Sequence, residues 1–281
     1  MTRPVTAATQ MAGVVGNPVR HSLSPVIHNA WIEAAGLDAV YVAMPTAPER
    51  FGDLVRGLSG GAVLGLNVTI PFKEAASALA DERSPAAARA AAANVLVFRE
   101  GRILADNTDG MGLLAALLGA GFRAGSGPVA VLGAGGAARG AVTSLLAGGV
   151  PEVRVVNRSL DRARAIAAID ARIGAFGWDQ VSGALDGVVA VINATSLGMT
   201  GEPPLELTLD DTPPAAVIMD MVYQPLKTCL LAEAERRGHP TADGLEMLIG
   251  QARPSFEAFF GRPPPDIDVR RLCEQALGEA K

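Results

Sequence analysis

The chain is poor in the residues that cross-link or coordinate. Its 281 residues include two cysteines, Cys229 and Cys273, far apart and in no C-x-x-C pattern. That spacing argues against a disulfide scaffold or a thiolate zinc site and suits a reducing compartment. Both cysteines read as ordinary buried thiols. The three histidines, His21, His28 and His239, are too few and too dispersed for a metal centre, so no metal is expected. No apolar run reaches the length of a membrane span, and the first ten residues lack the apolar core of a signal peptide. The expected compartment is the cytoplasm. Clusters of one charge are missing too: 24 basic and 29 acidic residues lie scattered, for a net charge of −5, which gives no footprint for nucleic acid. The sequence has no internal repeat.

What is present is a globular composition, 49% hydrophobic and 19% charged, long enough for two domains. Short apolar runs alternate with Ala/Leu-rich helical patterns, the mark of parallel α/β architecture. Strands are expected near 12–15, 39–43, 63–68, 95–98 and 103–105, with a hairpin-type turn at Gly101-Arg102. Helices are expected near 25–35, 49–58, 72–80, 85–91 and 111–118. The glycine-rich stretch 119–127 is a candidate domain boundary. A second series follows, with strands at 129–132, 153–156, 188–192 and 217–221 and helices at 136–146 and 160–169. One long helix is expected over 244–260, and another after the Pro263-Pro264-Pro265 break.

Five segments carry chemistry. In Asn67-Val68-Thr69-Ile70-Pro71-Phe72-Lys73-Glu74, Thr69 stands at a cap position and Pro71 suits a first helical turn. Lys73 is thereby placed at the C-terminal edge of a strand, where open α/β sheets bind ligands. Leu132-Gly133-Ala134-Gly135-Gly136-Ala137-Ala138 follows a strand and opens a helix, the context in which G-x-G-x-x-[GA] cradles a pyrophosphate. The next strand ends Asn157-Arg158-Ser159, without the carboxylate that holds an NAD ribose. Arg158 suits a 2′-phosphate, so NADP is the expected cofactor. Arg162 reads either as a second cation for that phosphate or as a solvated helix residue. Ser24 before Pro25 reads as a helix cap, and Ser22 adds a donor at the same positive helix end. The residues alone leave capping and carboxylate binding both open. Asp109, in Asp106-Asn107-Thr108-Asp109-Gly110, reads either as a helix cap or as the partner of Lys73 in moving a proton.

Taken in order, these segments resemble the shikimate dehydrogenase family over nearly the whole chain. The resemblance runs from Gly16-Asn17-Pro18 and His21-Ser22-Leu23-Ser24-Pro25 through the segments above. It continues with Asn193-Ala194-Thr195-Ser196, Asp220-Met221-Val222-Tyr223 and Asp243-Gly244-Leu245 to Gln251-Ala252. It implies an N-terminal α/β substrate domain with a mainly parallel sheet (1–110, joined by helices in 245–281). A Rossmann-type NADP-binding domain (111–244) follows, with a cleft between the two. It further implies reduction of 3-dehydroshikimate to shikimate with NADPH, on the route to aromatic amino acids, with Lys73 and Asp109 as the acid–base pair. Ser22 and Ser24 would bind the substrate carboxylate, and Thr69, Asn94, Tyr223 and Gln251 its other polar groups. Gly133, Ala134, Gly135, Gly136 and Ala137 would hold the pyrophosphate, and Asn157, Arg158, Ser159 and Arg162 the adenosine phosphate. Met221 and Gly244 would lie by the nicotinamide. The chain departs from the family pattern at Val95, where threonine is common, and at Glu246, where a small residue is usual. The alternatives are a quinate/shikimate enzyme of broader substrate or cofactor range and a silent NADP-binding sensor, which would lack Lys73 or Asp109. The oligomeric state, monomer or homodimer, is open.

Overall fold

The computed structural model describes residues 4–278. The chain forms two compact units, Met1–Thr108 with Gln251–Lys281, and Asp109–Gly250. In the first unit the order is β1 (Gln10–Gly16), α1 (Ser24–Ala34), β2 (Ala39–Pro45), α2 (Phe51–Ser59), β3 (Val63–Val68), α3 (Lys73–Leu79), β4 (Glu82–Arg83), α4 (Pro85–Ala90), β5 (Val95–Arg99) and β6 (Arg102–Asp106). The second unit holds α5 (Asp109–Gly119), β7 (Val129–Leu132), α6 (Gly136–Ala147), β8 (Val153–Asn157), α7 (Leu160–Ala167), β9 (Ile173–Gly177), α8 (Val181–Leu185), β10 (Ala190–Asn193), β11 (Val217–Asp220), α9 (Cys229–Arg236) and β12 (Thr241–Ala242). Helix α10 (Gly244–Phe260) begins in the second unit and ends in the first, which α11 (Val269–Leu277) completes.

The first sheet runs β2-β1-β3-β5-β6-β4. Pairing is parallel except where β5 lies against β3 and β6. β5 and β6 join through Glu100 and Gly101, both at positive φ (53° and 75°), as a two-residue type I′ hairpin needs. The turn thus sits one residue earlier than the sequence reading placed it. Because β5 is reversed, its start shares one sheet edge with the ends of β1, β3 and β6.

The second sheet runs β12-β11-β10-β7-β8-β9 and is parallel throughout. Strand order reverses between β7 and β10, the switch point of the Rossmann arrangement. Side chains alternate across these strands. Val129 and Val131 join Leu113, Val142 and Leu145 on one face, while Ala130 and Leu132 join Leu185, Leu209 and Leu230 on the other. Burial on both faces is why the strands read as continuous apolar runs. The α/β reading with mainly parallel sheets holds for both units.

Several local expectations are corrected. Thr69 does not cap α3: the helix begins at Lys73, and Pro71, after a cis peptide bond, lies in a turn closed by the Phe72 N–H to Thr69 O bond (3.0 Å). Ser24 does not cap α1 either. The first helical bond runs from Ile27 N–H to Leu23 O (3.1 Å), so Leu23 holds the cap position. Cys229 is exposed at the start of α9, because that helix buries Leu230, Leu231 and Ala234 and turns residue 229 outward. Cys273 is buried, which pushes its thiol up to about 11. Strands β4, β9 and β12 and helices α8 and α9 escaped the sequence reading. They are short, and β9 (Ile-Gly-Ala-Phe-Gly) has too many glycines to read as a strand.

A buried histidine makes the first unit acid-sensitive. His28 is fully buried, stacked on Tyr41 at 4.1 Å and edge-on to Trp31 at 5.7 Å, and neither ring nitrogen has a protein hydrogen-bond partner among the described residues. Burial lowers its pKa from 6.5 to about 3. Between those values the unfolded chain binds the proton and the native one does not, so stability falls as pH drops through the window. One such group contributes a slope of up to about 1.4 kcal/mol per pH unit. Urea unfolding at pH 7, 5 and 4 should show a shallower acid loss for His28→Phe than for wild type; parallel losses would assign the sensitivity elsewhere.

Candidate active site

The residues expected to bind substrate in the first unit gather where its strands end. Ser22 and Ser24 follow β1 at the start of α1, where the Ser24 N–H bonds to Ser22 Oγ (3.3 Å) and Ser24 is buried. Thr69 follows β3 and is tied to the end of β1 by its N–H to Val15 O (3.0 Å). Lys73, half-buried, opens α3, and its carbonyl accepts the Ala93 N–H (2.8 Å). That bond brings the segment before β5 alongside the lysine.

Asn94 begins the reversed strand and is buried in an amide–hydroxyl network. Its Nδ2 donates to Thr108 Oγ1 and Gln251 Oε1 (both 3.0 Å), and its Oδ1 accepts the Thr108 N–H (2.8 Å). Thr108 Oγ1 also donates to Gln251 O (3.0 Å). Asn67 supports this layer, donating to Asn94 O (3.2 Å) and Ser255 Oγ (3.0 Å) while accepting from Tyr41 Oη (2.7 Å). Burial raises the Tyr41 pKa well above its usual value, so the phenol remains a donor. Sequence reasoning placed neither Asn67 nor Thr108 among the site residues, although both stand in the segments it singled out. Val95 is buried with its backbone paired to Asn67 and Asp106, so the departure from threonine lies within the sheet.

The second unit holds the other predicted residues. Asp109 is the first residue of α5, and Tyr223 lies in the loop after β11. Gly133 leaves β7 at φ +109°, with its N–H on Val156 O (2.8 Å). A Cβ there would lie 3.0 Å from Thr195 Cγ2 and 3.1 Å from Ala194 O, so only glycine turns here without strain. Gly135 and Gly136 are exposed at the start of α6, and a Cβ on either would meet nothing within 4 Å. This open backbone at the start of a 12-residue helix, with Ala134 and Ala137 beside it, fits a pyrophosphate.

Asn157 ends β8, its Nδ2 donating to Ser159 O (2.9 Å). Ser159 holds the cap position of α7 without making a side-chain cap bond. Arg158 and Arg162 are exposed, and neither has an ion-pair partner among the described residues. Two uncompensated guanidinium groups and no carboxylate suit a 2′-phosphate. Met221 lies half-buried after β11, with Gly244 against its backbone: a Cβ on Gly244 would fall 2.3 Å from Met221 O. Glu246 is exposed on the first turn of α10. No group of three or more His, Cys, Asp or Glu among the described residues is placed to hold a metal ion. No helix among them is long and apolar enough to cross a membrane.

Known proteins resemble this chain over nearly its whole length. Family models match at residues 14–96 (shikimate dehydrogenase substrate binding domain), 121–198 (shikimate/quinate 5-dehydrogenase) and 244–276 (shikimate 5′-dehydrogenase C-terminal domain). A shikimate dehydrogenase (NADP(+)) of Caulobacter vibrioides is 54% identical, covering 99% of this chain and 100% of its own length. One of Paracoccus denitrificans is 46% identical over 96% and 98%. Among solved structures, the shikimate 5-dehydrogenase of Thermus thermophilus in complex with NADP(H) and shikimate superposes with a TM-score of 0.87. It is 34% identical, covering 95% of this chain and 100% of that one. With relatives this similar from end to end, the chain belongs to the shikimate dehydrogenase family.

Proposed function

We propose that the chain is a cytoplasmic NADP-dependent oxidoreductase that interconverts 3-dehydroshikimate and shikimate, a step toward the aromatic amino acids. The first unit is its substrate-binding domain and the second its Rossmann-type NADP-binding domain. The observation that carries the reading is the gathering of Ser22, Ser24, Thr69, Lys73, Asn94 and Gln251 at strand ends and on α10, in a chain 54% identical to a shikimate dehydrogenase (NADP(+)). This set suits a cyclic polyol carboxylate. The serine hydroxyls at the positive start of α1 take the carboxylate. Thr69, Asn94, Gln251 and Tyr223 take the ring hydroxyls, and fixed donors of this kind discriminate strongly against rings that lack a hydroxyl.

NADPH, when bound, supplies the hydride to the carbonyl carbon. Gly133 to Ala137 hold its pyrophosphate, Asn157, Arg158, Ser159 and Arg162 its 2′-phosphate, and Met221 and Gly244 line its nicotinamide end. Lys73 and Asp109 serve as the acid–base groups that deliver a proton to the carbonyl oxygen as the C–H bond forms. In the reverse direction they take it from the hydroxyl. Initial rates with shikimate or quinate, each with NADP or NAD, test the proposal. Shikimate with NADP should exceed every other combination by at least about ten-fold in kcat/KM. A preference for quinate with NAD would assign the chain to the broader branch of the family, and no turnover of either acid would remove the proposal.

A further inference from the structure

Asn193 and Asp220 end neighbouring strands β10 and β11, paired side by side, and both are fully buried. The Asp220 carboxylate gathers three donors: Asn193 Nδ2 (2.9 Å) and the Val222 N–H (3.0 Å) on Oδ1, and Thr228 Oγ1 (2.7 Å) on Oδ2. The network extends beyond it. Asn193 Oδ1 accepts from the Thr195 N–H (3.0 Å) and hydroxyl (2.7 Å), and the Met221 N–H bonds to Asn193 O (3.0 Å). One carboxylate therefore links the loops after β10 and β11 and, through Thr228, the cap of α9.

We propose that Asp220 is a positioning residue for the cofactor, holding the Met221–Val222 backbone in place and, through Asn193 and Thr195, the turn at Gly133. Two close approaches make that hold consequential. Thr195 and Ala194 abut Gly133 from one side, and Gly244 abuts the Met221 carbonyl from the other, so a shift of either loop moves the surfaces facing the dinucleotide. An acceptor-only group is needed, because three donors converge where an amide would present N–H groups of its own. Burial raises the Asp220 pKa, and no cation pairs with it among the described residues. A buried anion of this kind is a poor source of stability, which favours a positioning task over a purely structural one.

The inference rests on the assignment of Gly133 and Met221 to the cofactor. Its test is steady-state kinetics of Asp220→Asn, Thr228→Val, Thr228→Ser and Met221→Ala, with thermal midpoints measured alongside. Asp220→Asn and Thr228→Val should raise the KM for NADP about ten-fold and leave the KM for shikimate within about two-fold. Thr228→Ser, which keeps the hydroxyl, should restore most of the NADP affinity. Thr228→Val carries the test alone if Asp220→Asn does not fold. Both KM values rising together with a lowered midpoint would reduce Asp220 to a structural tie and overturn the proposal. If the NADP KM is unchanged in Asp220→Asn but raised in Met221→Ala, this inference alone fails. If it is unchanged in both, the cofactor assignment of the loop fails as well.

Discussion

Lys73→Ala lowers kcat for shikimate oxidation by about 10²–10⁴-fold and changes the KM for shikimate far less, the signature of a lost proton-transfer group. The backbone at this position is set independently of the side chain. The Ala93 N–H on Lys73 O fixes one side and the turn from Thr69 to Phe72 the other, so truncation removes the ammonium without unseating the helix. Helix stability does not explain the residue: a cation in the first turn opposes the macrodipole, which favours lysine at the other end. The groups proposed to hold substrate, from Ser22 to Gln251, remain in Lys73→Ala. Asp109→Asn should fall in the same range, and the double variant should be little worse than the poorer single one, because groups that serve one proton transfer, as proposed, act as a unit. Activity within a few-fold of wild type in Lys73→Ala would remove the pair from the mechanism.

How well this region could be read beforehand shows what a sequence encodes locally. Strand β3 was legible to the residue, because a mostly apolar, partly β-branched run (Val-Leu-Gly-Leu-Asn-Val) followed by a break leaves little alternative. The start of α3 was legible to within one residue, but its cap was not. Thr69 and Pro71 have the chemistry of a cap and a first turn, but the Thr69 N–H goes to Val15 O and the Asn17 N–H to Ile70 O. Those bonds to the end of β1 draw 69 and 70 into the strand edge and delay the helix to Lys73. The glycine turn was legible because its strand, turn and helix are contiguous. Asp220 was visible only as part of a family segment: its role depends on Asn193 and Thr228, which the chain brings to it only by folding.

Arg158→Ala raises the KM for NADP by about 10–100-fold and leaves that for NAD within about three-fold, the range for losing one charged hydrogen-bonded contact. The asymmetry follows from what stands at the end of β8. The residues there are Asn157, Arg158 and Ser159, so no carboxylate repels a 2′-phosphate or rewards a free 2′-hydroxyl. Arg158 also has no internal ion pair to lose among the described residues, so its removal costs little stability and the kinetic effect reports binding alone. Arg162, in the first turn of α7, is the second cation proposed for the 2′-phosphate. Arg162→Ala should therefore produce a smaller effect in the same direction, and the double variant should bring the two cofactors close to parity. Salt gives an independent check, because exposed charges are screened beyond about 8 Å at physiological ionic strength. In wild type the NADP KM should climb with added KCl while the NAD KM stays nearly flat, and Arg158→Ala should flatten the NADP dependence. An equal rise in both KM values on Arg158→Ala would place the arginine outside the 2′-phosphate site and leave the cofactor preference to be explained by Asn157 and Ser159.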